Sequence, residues 1–395
     1  MTAPGGPQPS RRTKISEGER LKVWVRSGGR CAICNRYLLE GDLGASELTF
    51  GEMAHIVGQQ ASERSPRGLE DLDSSERDNA DNIVLLCDDE HDEIDKPGSR
   101  EKFSVDFLRQ LKREHEERIQ HVTGLAGDRR STVLRMIGVL RGDAVEVDRD
   151  MVSTAVIGDG NRFPKFSLAY DRQSIEIDLR HCAGEDLATP EYYTAATAII
   201  DEVISQKLRE GIVSEEISHL SVFAFARLPL LVYLGSKLDD TVPTEIYQRH
   251  RASETWNWPD IEADAAFDIR IPVATPGVDE GVLVINVSGS IQHNELPDAL
   301  VNLPYFELLV TGVTPSPDVL RGAVALTSFA SICRRLLAEI EATHKQIRLL
   351  HVFAAIPLSA GVAFGRVFDP SVHPSVLIYD RSDSGYRAAL RIGQR

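Results

Sequence analysis

Three of the five cysteines in this 395-residue chain fall in one stretch with two histidines. Cys31-Ala-Ile-Cys34 is followed by Ala54-His55-Ile56, then by Asp81-Asn82-Ile83-Val84-Leu85-Leu86-Cys87, and then by His91. A Cys-x-x-Cys turn offers two thiolates to one metal ion, and a third cysteine at a strand end continues the pattern of a tetrahedral zinc site. Cys31, Cys34 and Cys87 are therefore read as structural Zn²⁺ ligands. The fourth ligand is left open between His91, Glu90 and a residue that the spacing does not reveal.

The surrounding sequence supplies a frame for this stretch. Ser16 with Glu19 has capping-box spacing, which predicts a helix from Glu17 to about Ser27, ended by Gly28-Gly29. Residues 48–57 read as a strand that delivers His55, and Asn82 to Cys87 as a short apolar strand. The polar run from Gly58 to Asp81 reads as a long surface loop, a length more often functional than idle. A helix starts near Asp88 and carries His91. After Pro97-Gly98, a charged amphipathic helix runs from Ser104 to Val122. Residues 1–14 read as a loose tail and 124–149 as a linker, so the first domain spans 15–123.

Hydrolysis of a phosphodiester needs a base to deprotonate water and a divalent cation to neutralise charge at the phosphate. The neutral imidazole of His55 suits the first task near pH 7. Asn82 is expected to hydrogen-bond the backbone beside His55 and hold its ring. His91 is expected close by as a metal ligand. CAIC, MAHIV and DNIVLLCDDEH together resemble the HNH endonuclease family over about residues 15–122. The resemblance implies a ββα-metal fold in which His55 is the general base, Asn82 orients it and His91 binds the catalytic Mg²⁺ or another divalent cation. Two positions depart from the family pattern. Ala54 stands where an acidic ligand often precedes the first histidine, and Glu90 where another cysteine often follows the equivalent of Cys87. His91 is thereby claimed both by the zinc and by the catalytic cation.

Charge divides along the chain. The formal net charge is −16, which argues against indiscriminate nucleic-acid binding. Yet between Arg11 and Arg36 eight Lys/Arg stand against Glu17 and Glu19, beside the metal-ligand stretch. Residues 131–395 carry 24 basic and 35 acidic residues. The longest apolar run, Leu220 to Leu234, is broken by Arg227 and Pro229, so no membrane span is expected. The N-terminus has no apolar signal-peptide core, and five cysteines with one Cys-x-x-Cys fit a reducing cytoplasm.

The second region, 150–395, repeats itself. A shift of 130 residues places Val222-Phe223-Ala224 on Val352-Phe353-Ala354, and also aligns Leu228, Gly235, Asp239 and Val242 with Leu358, Gly365, Asp369 and Val372. The helix opened by Thr189-Pro190 falls on one beginning near Asp318, and Ile175–Leu179 on Tyr305–Leu309. Each half, about 150–270 and 271–395, reads as strand, long helix, strand, short helix, strand. That order predicts a mostly parallel, Rossmann-type sheet, making the whole chain multi-domain α/β. Ligands bind such sheets beyond the carboxyl ends of the strands, here around Ala226–Pro229 and Ile356–Ser359.

The stretches FAFARLPLLVYLGSKLDD and FAAIPLSAGVAFGRVFDP, with Pro374 to Asp380, resemble a SAVED domain, two fused CARF-like halves. An HNH domain followed by SAVED is similar to the effector nucleases of CBASS anti-phage systems. The resemblance implies a cyclic di- or trinucleotide activator, double-stranded DNA as substrate, and a homo-oligomer that assembles on activation. A cyclic nucleotide calls for cations, helix N-termini and stacking surfaces. Arg227, Lys237, Trp256, Trp258, Arg366, Tyr379 and Arg381 are the candidates near the inferred cleft. Two other readings remain: a restriction-type nuclease whose second domain reads modified bases, and a non-catalytic, zinc-containing DNA-binding regulator with a small-molecule sensor.

Overall fold

The computed structural model describes residues 14–39, 51–96, 98, 102–125, 129–140, 142–145, 147–166, 175–259, 265–383 and 385–393. It divides into two compact units, Met1–Ala126 and Gly127–Arg395. The tail 1–13 and the expected strand residues 48–50 lie outside the described residues.

In the first unit α1 (Glu17–Arg26) begins where the capping spacing puts it, and Ser16 accepts a hydrogen bond from the Glu19 backbone at 3.2 Å. The Glu19 carboxylate completes no capping box. It salt-bridges Lys22 and accepts the Ala80 N–H at 2.6 Å, tying α1 to the far end of the long loop. β1 (Gly51–His55) and β2 (Ile83–Cys87) form an antiparallel pair, with His55 opposite Ile83 and Gly51 opposite Cys87. α2 (Asp88–Asp95) follows directly, and α3 (Val105–Gly124) is capped by Ser104. β2 is buried along its whole length because the apolar sides of α1 and α3 pack with Leu38 and Ile56 into one core.

The second unit begins earlier than the sequence suggests. Residues 124–149, expected to be a linker, hold β3 (Arg130–Ile137), the central strand of the first sheet. Arg135 hid it. The side chain interrupts an otherwise apolar run but is buried, donating to the Val147 carbonyl at 2.7 Å and ion-paired with Glu176. The short pair β4 (Val139–Leu140) and β5 (Asp143–Ala144) follows, then α4 (Arg149–Gly158), β6 (Phe163–Lys165) and β7 (Ile175–Asp178). A continuous helical rod comes next: α5 (Pro190–Val203), a π-helical segment Ile204–Arg209, and α6 (Glu210–Val213). It runs through Gly211, where a Cβ would meet Ile217 Cδ1 at 2.5 Å, so the glycine there serves the packing of Ile217. β8 (Leu220–Phe225), α7 (Leu228–Lys237) and β9 (Thr244–Ile246) complete the half. Strands β3, β6, β7, β8 and β9 are all parallel, in the order β6-β3-β8-β9 with β7 also on β3.

The second half contains β10 (Ala266–Arg270), β11 (Glu280–Asn286), β12 (Tyr305–Thr311), α8 (Ala323–Thr343), β13 (Leu349–Ala355), α9 (Leu358–Val367), β14 (Ser375–Ser382) and β15 (Gly385–Ile392). Its sheet runs β10-β12-β11-β13-β14-β15, parallel inside and antiparallel at both edges. β10 therefore belongs to this half, and the division falls before Ala266 rather than at 270. The repeat is literal at its centre: α7 and α9 are related by a shift of 130 at both ends. The two helices pack face to face across the halves. Val232 of α7 enters the core of the second half and its equivalent, Val362 of α9, the core of the first. A Cβ on Gly235 would lie 2.1 Å from the Val362 carbonyl oxygen, and one on Gly365 1.9 Å from that of Val232, so only glycine permits this approach. No described helix is long and apolar enough to cross a membrane.

Candidate functional site

In the first unit, β1 ends on His55 and β2 begins at Ile83, so the turn before β2 lies beside the histidine. Asn82 occupies that turn and is buried. Its Oδ1 accepts the Val57 N–H at 2.9 Å, and its Nδ2 donates to the carbonyls of Val57 and Arg77, each at 2.8 Å. One side chain thus locks the backbone just beyond His55, as expected from the sequence. The His55 ring meets Asp78 at 2.9 Å through Nε2.

The loop 58–81 is not a loose surface excursion. Arg77 donates to the carbonyls of Gly58, Gly68, Glu70 and Leu72. Arg67 donates to the carbonyls of His55, Ile56 and Ile94 and to the Asp95 carboxylate. Both guanidiniums are buried, and each gathers carbonyls that would otherwise lack donors.

Cys31, Cys34 and Cys87 bring their sulfurs within 4.8 Å of one another. Cys34 Sγ lies 3.7 Å from Cys87 Sγ. Tetrahedral zinc with Zn–S bonds of about 2.3 Å places sulfurs about 3.8 Å apart, so the trio fits that ion. Burial, with the neighbouring Cys31 and Cys34 thiols, pushes Cys87 up to about 12. Crowded thiols of this kind favour a cation that takes their protons' place. Among the described residues no fourth histidine, cysteine or carboxylate joins the group. His91 does not. One helical turn into α2, its Nδ1 meets the Glu52 carboxylate on β1 and its Nε2 lies 3.7 Å from Asp95 Oδ2. Of the two sites that the sequence left open for His91, the helix carries its ring toward β1 rather than toward the cysteines. Glu52 and Asp95 were not singled out from the sequence. The available signal was their spacing, Glu52 three residues before His55 and Asp95 four after His91. The two carboxylates meet different ring nitrogens, so a single cation could take Nε2 with Asp95 while Glu52 holds the ring through Nδ1.

In the second unit a cleft of about 960 Å³ opens at the carboxyl ends of β8 and β13. Phe225, Ile356, Pro357 and Leu358 line its floor, at the strand ends named from the sequence. Its polar wall is the turn 248–255, with Arg249, Arg251, Ser253 and Thr255, faced by Ser288. Gln248 fixes that turn to α9: its Oε1 accepts the Ser359 N–H at 3.0 Å and its Nε2 donates to the Arg249 carbonyl at 2.8 Å. Glu254 holds a left-handed φ of 54°, and the His250 N–H donates to the Thr255 carbonyl, closing the turn. Glu254 also lines the cleft, 3.9 Å from Arg249. With Arg251, the α9 N-terminus and several hydroxyls beside that pair, the cleft offers donors to a phosphate.

None of the seven ligand-binding residues chosen from the sequence lines this cleft. Arg227 is buried at the start of α7, bonded to Glu185 and Asp380 at 2.7 Å each, and Tyr193 donates to the same Asp380 oxygen at 2.6 Å. It clamps the two halves together. Lys237 and Arg366 sit at the opposite, carboxyl ends of α7 and α9, paired with Asp201 and Asp240. Trp256 is a core residue packed edge-on to Phe223, and Trp258 packs against His250. Tyr379 stacks on Phe353 and bonds His351 at 3.0 Å. Arg381 is paired with Glu295. The physical reason is common to all seven. In an acidic chain most cations are already claimed by carboxylates, and large aromatics fill cores.

Residues 200–392 match the family model described as "SMODS-associated and fused to various effectors sensor domain", named SAVED. The chain carries a SAVED domain over those residues, within a mixed α/β fold. Two solved structures of an Acinetobacter baumannii Cap4 SAVED/CARF-domain containing receptor are similar to the chain. One, with the cyclic trinucleotide 2′3′3′-cAAA, is 12% identical at a TM-score of 0.45, covering 81% of this chain and 59% of that one. The other, with 3′3′3′-cAAA, is 13% identical at 0.45, covering 76% and 64%. The Moraxella osloensis Cap4 receptor is 14% identical at 0.43, covering 75% and 64%. The chain thus spans less than two thirds of these structures. No curated protein matches it.

Proposed function

We propose that this chain is a sensor-effector protein of CBASS-type anti-phage defence, a DNA endonuclease switched on by a cyclic oligonucleotide. The observation that carries the reading is the pairing of a SAVED domain with a unit in which one strand pair carries His55 and Asn82 at one end and Cys87, beside Cys31 and Cys34, at the other. A domain described as a sensor fused to effectors leaves the effector role to the first unit. There His55 is the general base for water, and Asn82 holds the strand end that carries it. His91, with the Asp95 carboxylate beside its Nε2, would hold Mg²⁺ or another divalent cation, which when bound neutralises charge at the scissile phosphate, and Glu52 at Nδ1 would orient the ring. Cys31, Cys34 and Cys87 would hold Zn²⁺ and keep the β1–β2 frame rigid. In the second unit the cleft between the halves takes the activator, with Arg249 and Arg251 toward its phosphates and the α9 N-terminus beneath. Binding shifts a population of inactive chains toward an active oligomer.

The test uses the purified full chain with double-stranded plasmid DNA and Mg²⁺, with and without a panel of cyclic di- and trinucleotides. Cleavage is expected only with a matching nucleotide, and His55→Ala should lower it by about 10²- to 10⁴-fold without changing nucleotide affinity. Full cleavage in the absence of any nucleotide would overturn the regulatory half. Nucleotide-independent cutting of methylated DNA points to a restriction-type enzyme, and site-specific binding without cutting to a regulator.

A further inference from the structure

We propose that Asp78 is the positioning residue for His55 and that it assigns the catalytic lone pair to Nδ1. The catalytic meaning rests on the nuclease reading above, whereas the ring state rests on geometry alone. His55 Nε2 lies 2.9 Å from Asp78 Oδ1. An ionised carboxylate only accepts hydrogen bonds, so Nε2 carries the proton and the neutral ring keeps its lone pair at Nδ1. A carboxylate that fixes the tautomer and angle of a base, without touching substrate, is the division of labour in hydrolytic His–Asp pairs.

Asp78 is itself held in place. Gln59 Nε2 donates to Oδ1 and Oδ2 at 2.9 and 3.2 Å. The residue before it, Arg77, is buried and pins four carbonyls of the loop. The Arg77 carbonyl accepts from Asn82 Nδ2, the same nitrogen that donates to Val57. Asn82 therefore ties the strand end of His55 and the loop end of Asp78 to a single amide, and their separation follows from it. The His55 and Asp78 side chains are 19% and 27% exposed, so the pair is not sealed in the core. The loop 58–81 has a purpose on this reading: it carries the residue that orients the base.

The experiment labels the histidines of the full chain with ¹⁵N and reads ring states by NMR, with the His55 signals identified by their loss in His55→Gln. The wild type should show His55 protonated at Nε2, and Asp78→Ala should give a mixed or switched tautomer. In the plasmid assay Asp78→Ala should lower kcat by about 100-fold with KM for DNA within about twofold, and Asp78→Glu should recover part of the loss. Asp78→Asn, which keeps the shape, serves if Asp78→Ala does not fold. A wild-type ring protonated at Nδ1 overturns the proposal, as does an Asp78→Ala protein with unchanged ring state and kcat. A wild-type chain that never cuts DNA overturns the nuclease reading instead, and the ring state then decides the pairing by itself.

Discussion

At the scale of single residues, buried polar groups carry most of the specificity. Asn82 uses its amide on three backbone groups, and burial, with the neighbouring Cys31 and Cys34, favours the thiol form of Cys87. A Zn²⁺ bound to the three sulfurs, as proposed, would have to displace their protons. The chain purified without chelator should contain about one zinc per molecule by elemental analysis. Cys34→Ser should lose it and lower the melting temperature of the first unit, while an unchanged zinc content would remove the cysteines from the role. His219 responds to acid. Burial, then the charge of Arg162, hold it at about 4, below its ordinary 6.5. Its Nδ1 is 2.8 Å from the Ser131 hydroxyl inside the sheet. The unfolded chain binds the extra proton first, so this contribution to stability is complete above pH 6.5 and is lost as pH falls toward 4. Denaturation midpoints should drop across that window, and His219→Gln should flatten the drop.

At the scale of elements, the α7–α9 pair is the part of the fold least able to change. Gly235 and Gly365 are the same position in the two repeats, and each faces a carbonyl of the other helix. Alanine at either must push the helices apart and lift Val232 and Val362 from the cores they fill. Gly235→Ala and Gly365→Ala should each cost about 3 kcal/mol or more, read from urea midpoints, and neither should be rescued by ligand alone. A cost below about 1 kcal/mol would mean the helices do not pack this closely. The same repeat was legible as eight identities in the 21 positions 222–242, because helix-packing glycines and strand apolars keep their spacing. β3 was not legible. Its sequence, RSTVLRMI, contains a buried Arg135 whose partners Glu176 and the Val147 carbonyl are distant along the chain.

At the scale of the whole molecule, the sequence reached the residues of the two units unequally. The cleft of the second unit stands where strand-end logic placed it, but its cations come from the turn 248–255. Arg249→Ala and Arg251→Ala should each weaken cyclic-nucleotide binding about tenfold or more by calorimetry, with the fold intact by circular dichroism. Arg227→Ala should instead destabilise the unit, because it strands Glu185 and Asp380 without their cation. Equal effects of all three on binding alone would contradict this division.

The sequence by itself determined the elements that depend on local spacing. These are the cysteine turn, His55 and Asn82 flanking a strand pair, the capped helices, and a doubled α/β pattern. Only the tertiary structure decided what distant neighbours settle: that His91 turns to Glu52 and Asp95 rather than to the cysteines, that Asp78 meets His55, and that Arg227 is a clamp. The reason is physical. Periodicity and capping are read within a few residues, whereas a charge's role depends on which opposite charge the fold brings within about 3 Å.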